Sequence, residues 1–271
     1  MNNNKESTPT KNNPSGMRIQ KILAQNGVGS RREIEKAIIE KRISVNNILA
    51  ELGQSVSASD IITFDGRLVK LNSAKILPRI LIYNKPEGEI VSENDPKGRP
   101  TVFDHLPKIK NSKWISIGRL DFNTSGLLIF TTYGDFANRL MHPRYEIERE
   151  YSVRVLGKLT EDQLSQLTSG IKLEDGLAKF ESIKFKGGEG SNHWYQVTLK
   201  EGRNREVRRL FQFFSITVSR LMRIRFGTIT LPSNLKKRNY IEHSYKEVIN
   251  ILSKFNMNDD GYQKNLGNNK K

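Results

Sequence analysis

One segment of the sequence, residues 118–128, combines a carboxylate and an arginine in a way that packing alone does not explain. Its sequence is GRLDFNTSGLL, two apolar stretches joined by a polar loop. Asp121 and Asn123 are ordinary turn residues, so a purely structural interpretation accounts for both. It does not account for Arg119, which interrupts an apolar strand just before the loop. An ionised carboxylate in such a loop can act as a nucleophile or a base, and Asp121 is therefore the first candidate for a catalytic residue.

The most basic stretch beyond this loop, residues 200–225, holds eight Lys and Arg residues and two acidic ones. Within it, residues 206–214 predict a helix with apolar side chains at positions i, i+3, i+4 and i+7. Arg208 is at the border of that face, from where its long stem can carry the charge into a pocket and pair with Asp121. Arg205 is the alternative partner. A simpler interpretation is that all four arginines of this helix region form a patch that faces RNA.

Composition narrows the classes of partner. A formal charge of +16 and a pI near 9.9 attract polyanions, nucleic acid first and an anionic membrane second. No run approaches the roughly 18 apolar residues of a membrane span, and the N-terminus lacks the apolar core of a secretory signal. The chain has no cysteine, which excludes disulfides and thiolate metal sites and fits a reducing cytosol. Its four histidines show no metal-ligand spacing.

Two short helices and a hairpin are predicted near the N-terminus. The first helix is predicted to end at Gly27, and Ser30 with Glu33 forms a capping box that opens the second. The pair Asp65-Gly66 is typical of a hairpin turn. Basic residues crowd the two helices: Arg18, Lys21, Arg31, Arg32, Lys36, Lys41 and Arg42. Taken alone, this crowding indicates only a solvated helix face.

The chain is predicted to hold two folded units between polar ends. Residues 1–16 and 256–271 are rich in Asn and Lys and predict a disordered arm and tail. The folded units are expected at residues 17–72 and 77–255. In the second unit, strands are predicted at 80–83, 114–120, 126–132, 151–156 and 194–199, and helices at 135–141, 161–169 and 206–214. This order predicts an α+β fold with a mixed, mainly antiparallel sheet.

Residues 17–71 and the segment 118–128 each resemble a known family. Helix, GVGSRR, helix, KRISVN and a short hairpin resemble the S4-type (αL) RNA-binding module. The pattern GRLDxxTxGLL resembles the catalytic loop of the pseudouridine synthases that act on ribosomal RNA. Further motifs of that catalytic domain follow in the family's order: NKPEG at 84–88, VS at 91–92, LMHP at 140–143, REY at 149–151, EGRNREVRRL at 201–210, VSRL at 218–221 and RFG at 225–227. An S4-type module before this domain is the arrangement of the small-subunit synthase and its large-subunit relatives. Three segments look closest to the large-subunit branch, namely residues 29–35, the loop expected at 187–190 and residues 201–210.

The resemblance implies a set of site residues. Asp121 is expected to be the essential catalytic carboxylate, and Arg208 its paired arginine. Tyr151 is expected to stack on a base flipped out of the RNA and can handle the proton at C5. Leu221 is expected to pack on the other side of that pocket, although an ordinary core role explains it nearly as well. Phosphate contacts are expected from Arg119, Arg203, Arg205 and Arg209, and from Arg31 and Arg32 of the S4-type module.

The implied function is isomerisation of a specific uridine to pseudouridine in ribosomal RNA, with 23S rRNA on a large-subunit assembly intermediate as the expected partner. The reaction involves no redox change or hydrolysis, so neither a cofactor nor a metal is expected. A cytoplasmic monomer that does not bind membranes is expected. The alternatives are the same chemistry on 16S rRNA or tRNA, and a non-catalytic RNA-binding factor for ribosome assembly. A glycoside hydrolase is disfavoured because no second acid accompanies the Asp121 loop.

Overall fold

The computed structural model describes residues 16–57, 59–71, 77–110 and 112–257. The described residues divide into two compact units. The first comprises those up to residue 71 together with those at 109–113, and the second comprises 77–108 and everything from 114 onward. Except for residue 16 and residues 256–257, the segments predicted as disordered arm and tail lie outside the described residues.

The first unit consists of two helices and short strands around one core. Its elements are β1 (Met17–Arg18), α1 (Ile19–Gln25), α2 (Arg31–Ile39), β2 (Ile43–Val45), β3 (Ile48–Leu49), β4 (Ser55–Val56), β5 (Ile62–Phe64) and β6 (Arg67–Leu68). The predicted capping box is confirmed, since Ser30 Oγ accepts from the Glu33 amide and the Glu33 carboxylate accepts from the Ser30 amide. The predicted hairpin turn joins β5 to β6 with positive φ at Asp65 and Gly66. Fully buried Ile19, Leu23 and Ile43 form the centre of the core.

The second unit is built on a nine-stranded sheet among the described residues. Its elements are β7 (Ile80–Lys85), β8 (Ile115–Ile117), β9 (Ser125–Thr131), α3 (Gly134–Met141), β10 (Arg149–Leu156), α4 (Glu161–Ser169), β11 (Ile171–Leu173), β12 (Gly176–Ala178), β13 (Ser182–Glu189), β14 (Asn192–Leu199), α5 (Glu206–Gln212), β15 (Thr217–Phe226), β16 (Ile229–Thr230), β17 (Tyr240–Glu242) and α6 (Tyr245–Lys254). Turns of 3₁₀ helix occur at Val102–His105 and Pro143–Tyr145.

The strand order of this sheet is β13-β14-β10-β15-β9-β7-β17, with β16 beside β15 and β8 beside β9. Every pair is antiparallel except β15 with β9, which run parallel. All residues of β7 and β9 are buried, as expected for strands covered on both faces. The predicted mixed, mainly antiparallel sheet is therefore confirmed.

Three local predictions differ from the structure. The strand predicted over 114–120 is only Ile115–Ile117, because Gly118 has a φ of 75° that ends the extended backbone. The segment 187–190, interpreted as a loop, belongs largely to β13, where a register shift between Phe185 and Gly188 absorbs the glycines. The long strand β15 was not predicted, because its arginines mask the apolar alternation. None of the described helices is long and apolar enough to cross a membrane.

Candidate active site

The Asp121 loop is a tight turn at the start of β9. The Thr124 amide donates to the Asp121 carbonyl at 3.0 Å, and β9 begins at the next residue, Ser125. The turn projects from the end of the sheet, so the Asp121 side chain is 42% exposed. The carboxylate is thus presented to solvent on a fixed backbone.

Lys85, the last residue of β7, holds this loop in place through its ammonium group. Its ammonium group is fully buried and donates to the carbonyls of Pro86, Asp121 and Thr124 at 3.0, 3.1 and 2.9 Å. Burial lowers the pKa of Lys85 to about 8, against the opposing effect of nearby carboxylates, with Glu89 first among them. Three carbonyl acceptors compensate for burying the charge, and two of them belong to the Asp121 loop. Lys85 therefore holds the loop backbone. It was recognised in the sequence only as part of the NKPEG motif.

Backbone pairing places Tyr151 in the same row of the sheet as the base of the loop. Tyr151 on β10 is opposite Arg223 on β15. Arg223 is opposite Gly126 on β9, which in turn is opposite Lys85 on β7. Because neighbouring strands are about 4.8 Å apart, this row spans roughly 14 Å. The sheet thus brings together three separate sequence motifs at one level.

Two arginines of the α5 region adjoin the Asp121 loop in different ways. Arg205 Nη1 is 4.0 Å from Asp121 Oδ2, and Arg205 has a left-handed φ of 49° just before α5. Arg208 donates from Nη2 to the Asn123 carbonyl at 2.8 Å and from Nη1 to the Val218 carbonyl at 2.9 Å. Burial and the charge of Arg205 lower the pKa of Arg208, while Asp121 counteracts this shift. In this structure the ion pair with Asp121 is made by Arg205, the second choice of the sequence argument, and Arg208 braces the loop backbone.

A buried guanidinium that was not among the predicted site residues lies beside Tyr151. Arg223 is 2% exposed, and its Nε donates to the Leu127 carbonyl at 2.8 Å. Its guanidinium carbon is 5.0 Å from the centre of the Phe226 ring, and that of Arg149 is 4.8 Å from the same ring. Burial lowers the pKa of Arg223, and the phenol of Tyr151 is the polar group that counteracts the shift. No signal in the sequence indicates this contact, because Arg223 and Tyr151 meet only through the pairing of β15 with β10.

The arginines expected to bind phosphates differ in whether a carboxylate of the protein already pairs with them. Arg119 is exposed. Arg209 makes a bidentate ion pair with Asp175 at 2.7 and 2.8 Å, which raises the pKa of Arg209. Arg203 is 2.5 Å from Glu201 and 3.8 Å from Asp175. Arg203 and Arg209 are therefore engaged by carboxylates, because β11 and β12 bring Asp175 next to α5.

The remaining predicted site residues are placed as follows. Leu221 is buried on β15 opposite Val153 of β10. Arg31 and Arg32 are exposed on the first turn of α2 in the first unit. Their roles stay predictions.

Known proteins resemble both units. Residues 79–213 match the family described as RNA pseudouridylate synthase, and residues 17–62 match the S4 domain. A Pseudomonas aeruginosa protein named ribosomal large subunit pseudouridine synthase B is 53% identical over 242 residues, which cover 89% of this chain and 62% of the relative. Proteins of the same name are 53% identical in Yersinia pestis, over 85% of this chain and 74% of the relative, and 54% identical in Escherichia coli K12, over 83% and 78%.

A solved structure described as a pseudouridylate synthase agrees with these sequence matches. It has a TM-score of 0.59 and 26% identity, and the match covers 86% of this chain and 98% of that one. The two matched families together define the class: an RNA pseudouridylate synthase domain that follows an S4 domain. The chain belongs to the RNA pseudouridylate synthase family, which confirms the family and the fold class predicted from the sequence. RNA is therefore its class of substrate.

Proposed function

We propose that this chain converts one uridine of ribosomal RNA into pseudouridine, and that the substrate is the 23S rRNA of the large subunit. The observation that carries the proposal is the exposed Asp121 carboxylate on a loop fixed by Lys85 and Arg208. The relatives named ribosomal large subunit pseudouridine synthase B, at 53–54% identity, support the choice of subunit. Ribosomal RNA as the substrate implies a cytoplasmic site of action, and we propose that the chain acts there as a monomer.

The proposed reaction rearranges one nucleoside. The C1′–N1 bond breaks, the base turns, and a C1′–C5 bond forms, after which C5 loses its proton and N1 carries one. Atoms and electrons balance within the nucleoside, so the chain needs to supply only positioning and proton transfer. Asp121 is the group that acts as nucleophile or base. Its exposure lets a flipped uridine reach it, and the positive charge of Arg205 lies 4.0 Å from the carboxylate.

The other residues of the site have supporting roles in this proposal. Tyr151 stacks on the flipped base and can take the C5 proton, and Leu221 packs on the opposite face of the base. Arg208 maintains the loop and contributes positive charge near Asp121. Phosphate contacts are assigned to the exposed Arg119 and Arg205, to Arg203 and Arg209 once they leave their carboxylates, and to Arg31 and Arg32 of the S4 unit.

Substitution of Asp121 tests the assignment. Asp121→Asn and Asp121→Ala are expected to abolish isomerisation while leaving folding and RNA affinity nearly unchanged, because the exposed side chain contributes little to packing. Glu87→Gln is the matched control, since it removes an equal charge from an exposed residue of the neighbouring loop. Turnover by purified Asp121→Asn on an RNA that the wild type modifies would refute the catalytic role.

A deletion strain tests the substrate. Pseudouridine mapping should show one 23S position that is lost on deletion, restored by the wild-type chain and not restored by Asp121→Asn. A lost position in 16S rRNA or tRNA would assign the same chemistry to another RNA. An assembly defect with every pseudouridine intact, rescued by Asp121→Asn, would identify a non-catalytic assembly factor.

A further inference from the structure

A second basic surface, separate from the α5 region, lies between β16 and β17. We call residues 234–240, with the sequence NLKKRNY, the basic strap. All of its residues except Leu235 are exposed. Lys236 and Lys237 form no ion pair with any carboxylate in the described parts of the chain, in contrast to Arg203 and Arg209. Two adjacent, uncompensated ammonium groups are suited to bind an anion.

The strap is rigidly attached to the catalytic domain. Asn84 of β7 donates from its amide to the Asn239 carbonyl and from Nδ2 to the Leu235 carbonyl, at 3.0 and 2.7 Å. The Asn84 carbonyl accepts from the Arg238 amide at 2.8 Å. Arg238 has a left-handed φ of 69°, a conformation unfavourable for an arginine. These bonds keep the strap ordered in the free protein, so little ordering entropy opposes binding.

A buried carboxylate below the strap directs Arg238. Glu89 is fully buried, and accepts from Arg238 Nε at 2.9 Å and from the Tyr83 hydroxyl at 2.7 Å. His105 Nε2 is 3.4 Å from the same carboxylate. The Arg238 side chain nevertheless remains 58% exposed, so the rest of its guanidinium faces outward. Glu89 and His105 lie outside the sequence motifs of the family. The structure gives Glu89 a role in positioning Arg238 of the strap, and His105 lies beside the same carboxylate.

The strap lies at the same end of the sheet as the Asp121 loop. Its anchor, Asn84, is adjacent to Lys85, whose ammonium holds the Asp121 carbonyl. Along the strand order, α5 packs on β15 and the strap on β7, with the loop at the start of β9 between them. Four strand spacings, about 19 Å, separate the strand of Tyr151 from β17 at the strap. One structured RNA can span that distance.

We propose that the basic strap is a second RNA-binding site of the enzyme, which holds backbone phosphates and one unpaired base of the substrate beside the reacting uridine. A shallow cavity of about 400 Å³ is lined by Asn234, Leu235, Lys236, Arg238, Asn239 and Tyr240. The cations bind phosphate, and the ring of Tyr240, a residue that is 40% exposed, stacks on a base. The two asparagines offer donors and acceptors to the edge of that base. The proposal rests on the proposed function only in taking the substrate to be RNA.

Charge removal with a matched control tests the phosphate contacts. Lys236→Ala/Lys237→Ala is compared with Lys184→Ala/Lys186→Ala, which removes two exposed lysines from β13 at the opposite edge of the sheet. The probe is an rRNA fragment that the wild type binds, measured at several salt concentrations with proteins carrying Asp121→Asn. We expect the strap variant to reduce the slope of log K against log salt by roughly 1.5, and the control to leave it unchanged. Equal slopes for the two variants overturn the proposal.

Aromatic substitution tests the base contact. Tyr240→Ala should weaken RNA binding about five- to 150-fold, with little change in salt slope, and Tyr240→Phe should bind like the wild type. Tyr240→Ala that binds as tightly as Tyr240→Phe overturns the stacking assignment. These assays measure binding and not turnover. A wild type that binds RNA through the strap without making pseudouridine would therefore refute the proposed function but not the RNA-binding role of the strap. Strap variants that bind RNA normally but lose a protein partner would assign the surface to protein.

Discussion

At the scale of single residues, the two arginines beside Asp121 predict different kinetic effects. Arg208 bridges the carbonyls of Asn123 and Val218, so Arg208→Ala releases the loop from β15. We expect kcat/KM to fall by about two orders of magnitude, because small displacements of a catalytic group are costly. The salt dependence of RNA binding should change little. If Arg208→Ala only lowers the salt slope, Arg208 is a phosphate ligand and not a brace of the catalytic loop.

Arg203 and Arg209 are expected to differ from Arg208 in how their substitution changes the salt dependence of RNA binding. Substitution of a phosphate-binding arginine by alanine should lower the salt slope by about one. In the structure Arg209 is held by Asp175, whereas Arg203 is held mainly by Glu201, so Asp175→Asn should release Arg209 and tighten RNA binding. Unchanged affinity in Asp175→Asn would show that this side of α5 does not face the RNA.

Arg223 predicts an effect that depends on Tyr151. Its buried guanidinium interacts with the phenol of Tyr151, so it helps to hold that hydroxyl in position. Arg223→Lys should lower kcat about tenfold and leave KM unchanged, and the effect should vanish in a Tyr151→Phe background. Single-turnover rates of the four proteins measure this coupling.

The control for Arg223 is Arg149→Lys. Arg149 lies against the same ring of Phe226 but donates to the carbonyls of Ile147 and Lys200. Arg149 interacts with Tyr151 through charge only, whereas Arg223 also hydrogen-bonds the phenol, so Arg149→Lys should couple more weakly to Tyr151→Phe than Arg223→Lys does. A similar loss of kcat for Arg223→Lys with and without the phenol would mean that Arg223 serves only the packing of the sheet.

At the scale of elements, the parallel contact between β9 and β15 limits what residue 126 can be. A Cβ on Gly126 would lie 2.3 Å from the Arg223 carbonyl oxygen, and φ is +100°. Gly126→Ala should therefore lower the free energy of unfolding by about 3 kcal/mol or more, through overlap and backbone strain together. Chemical denaturation measures the loss.

Substitution of Gly118 separates the effect of backbone strain from that of steric overlap. Its φ is +75°, but a Cβ there would meet its nearest neighbour only at 3.8 Å, in ordinary contact. Gly118→Ala should cost about 1–2 kcal/mol, the strain alone. Equal losses for the two variants would show that the close approach of β9 and β15 does not constrain the site.

At the scale of the whole molecule, the two units predict a division of labour. A fragment lacking residues 1–72 should fold, because the second unit has its own sheet and core. It should keep kcat but show a raised KM on structured rRNA, since it loses the phosphate contacts of the S4 unit. Low salt should narrow the gap to the intact chain.

Full-length Arg31→Ala/Arg32→Ala should show part of the same rise in KM, because both side chains are exposed on α2. An unchanged KM for the fragment at every salt concentration would exclude the S4 unit from substrate binding.

The sequence by itself determined the features that short segments encode. Turn and cap residues located the Asp121 loop, the start of α2 and the hairpin at Asp65-Gly66, because each depends on a few adjacent residues. Apolar periodicity predicted most strands of the sheet and its class. Motif order then identified the family, since several spaced patterns had to occur together.

Only the tertiary structure decided which distant residues share the site. Lys85 reaches the Asp121 loop across 36 residues of chain, and Arg223 meets Tyr151 across two strands. Both contacts depend on the order β10-β15-β9-β7, in which sequence neighbours are not spatial neighbours. Periodicity shows which face of a strand is buried but not which strand lies beside it, because pairing depends on the packing of the whole sheet.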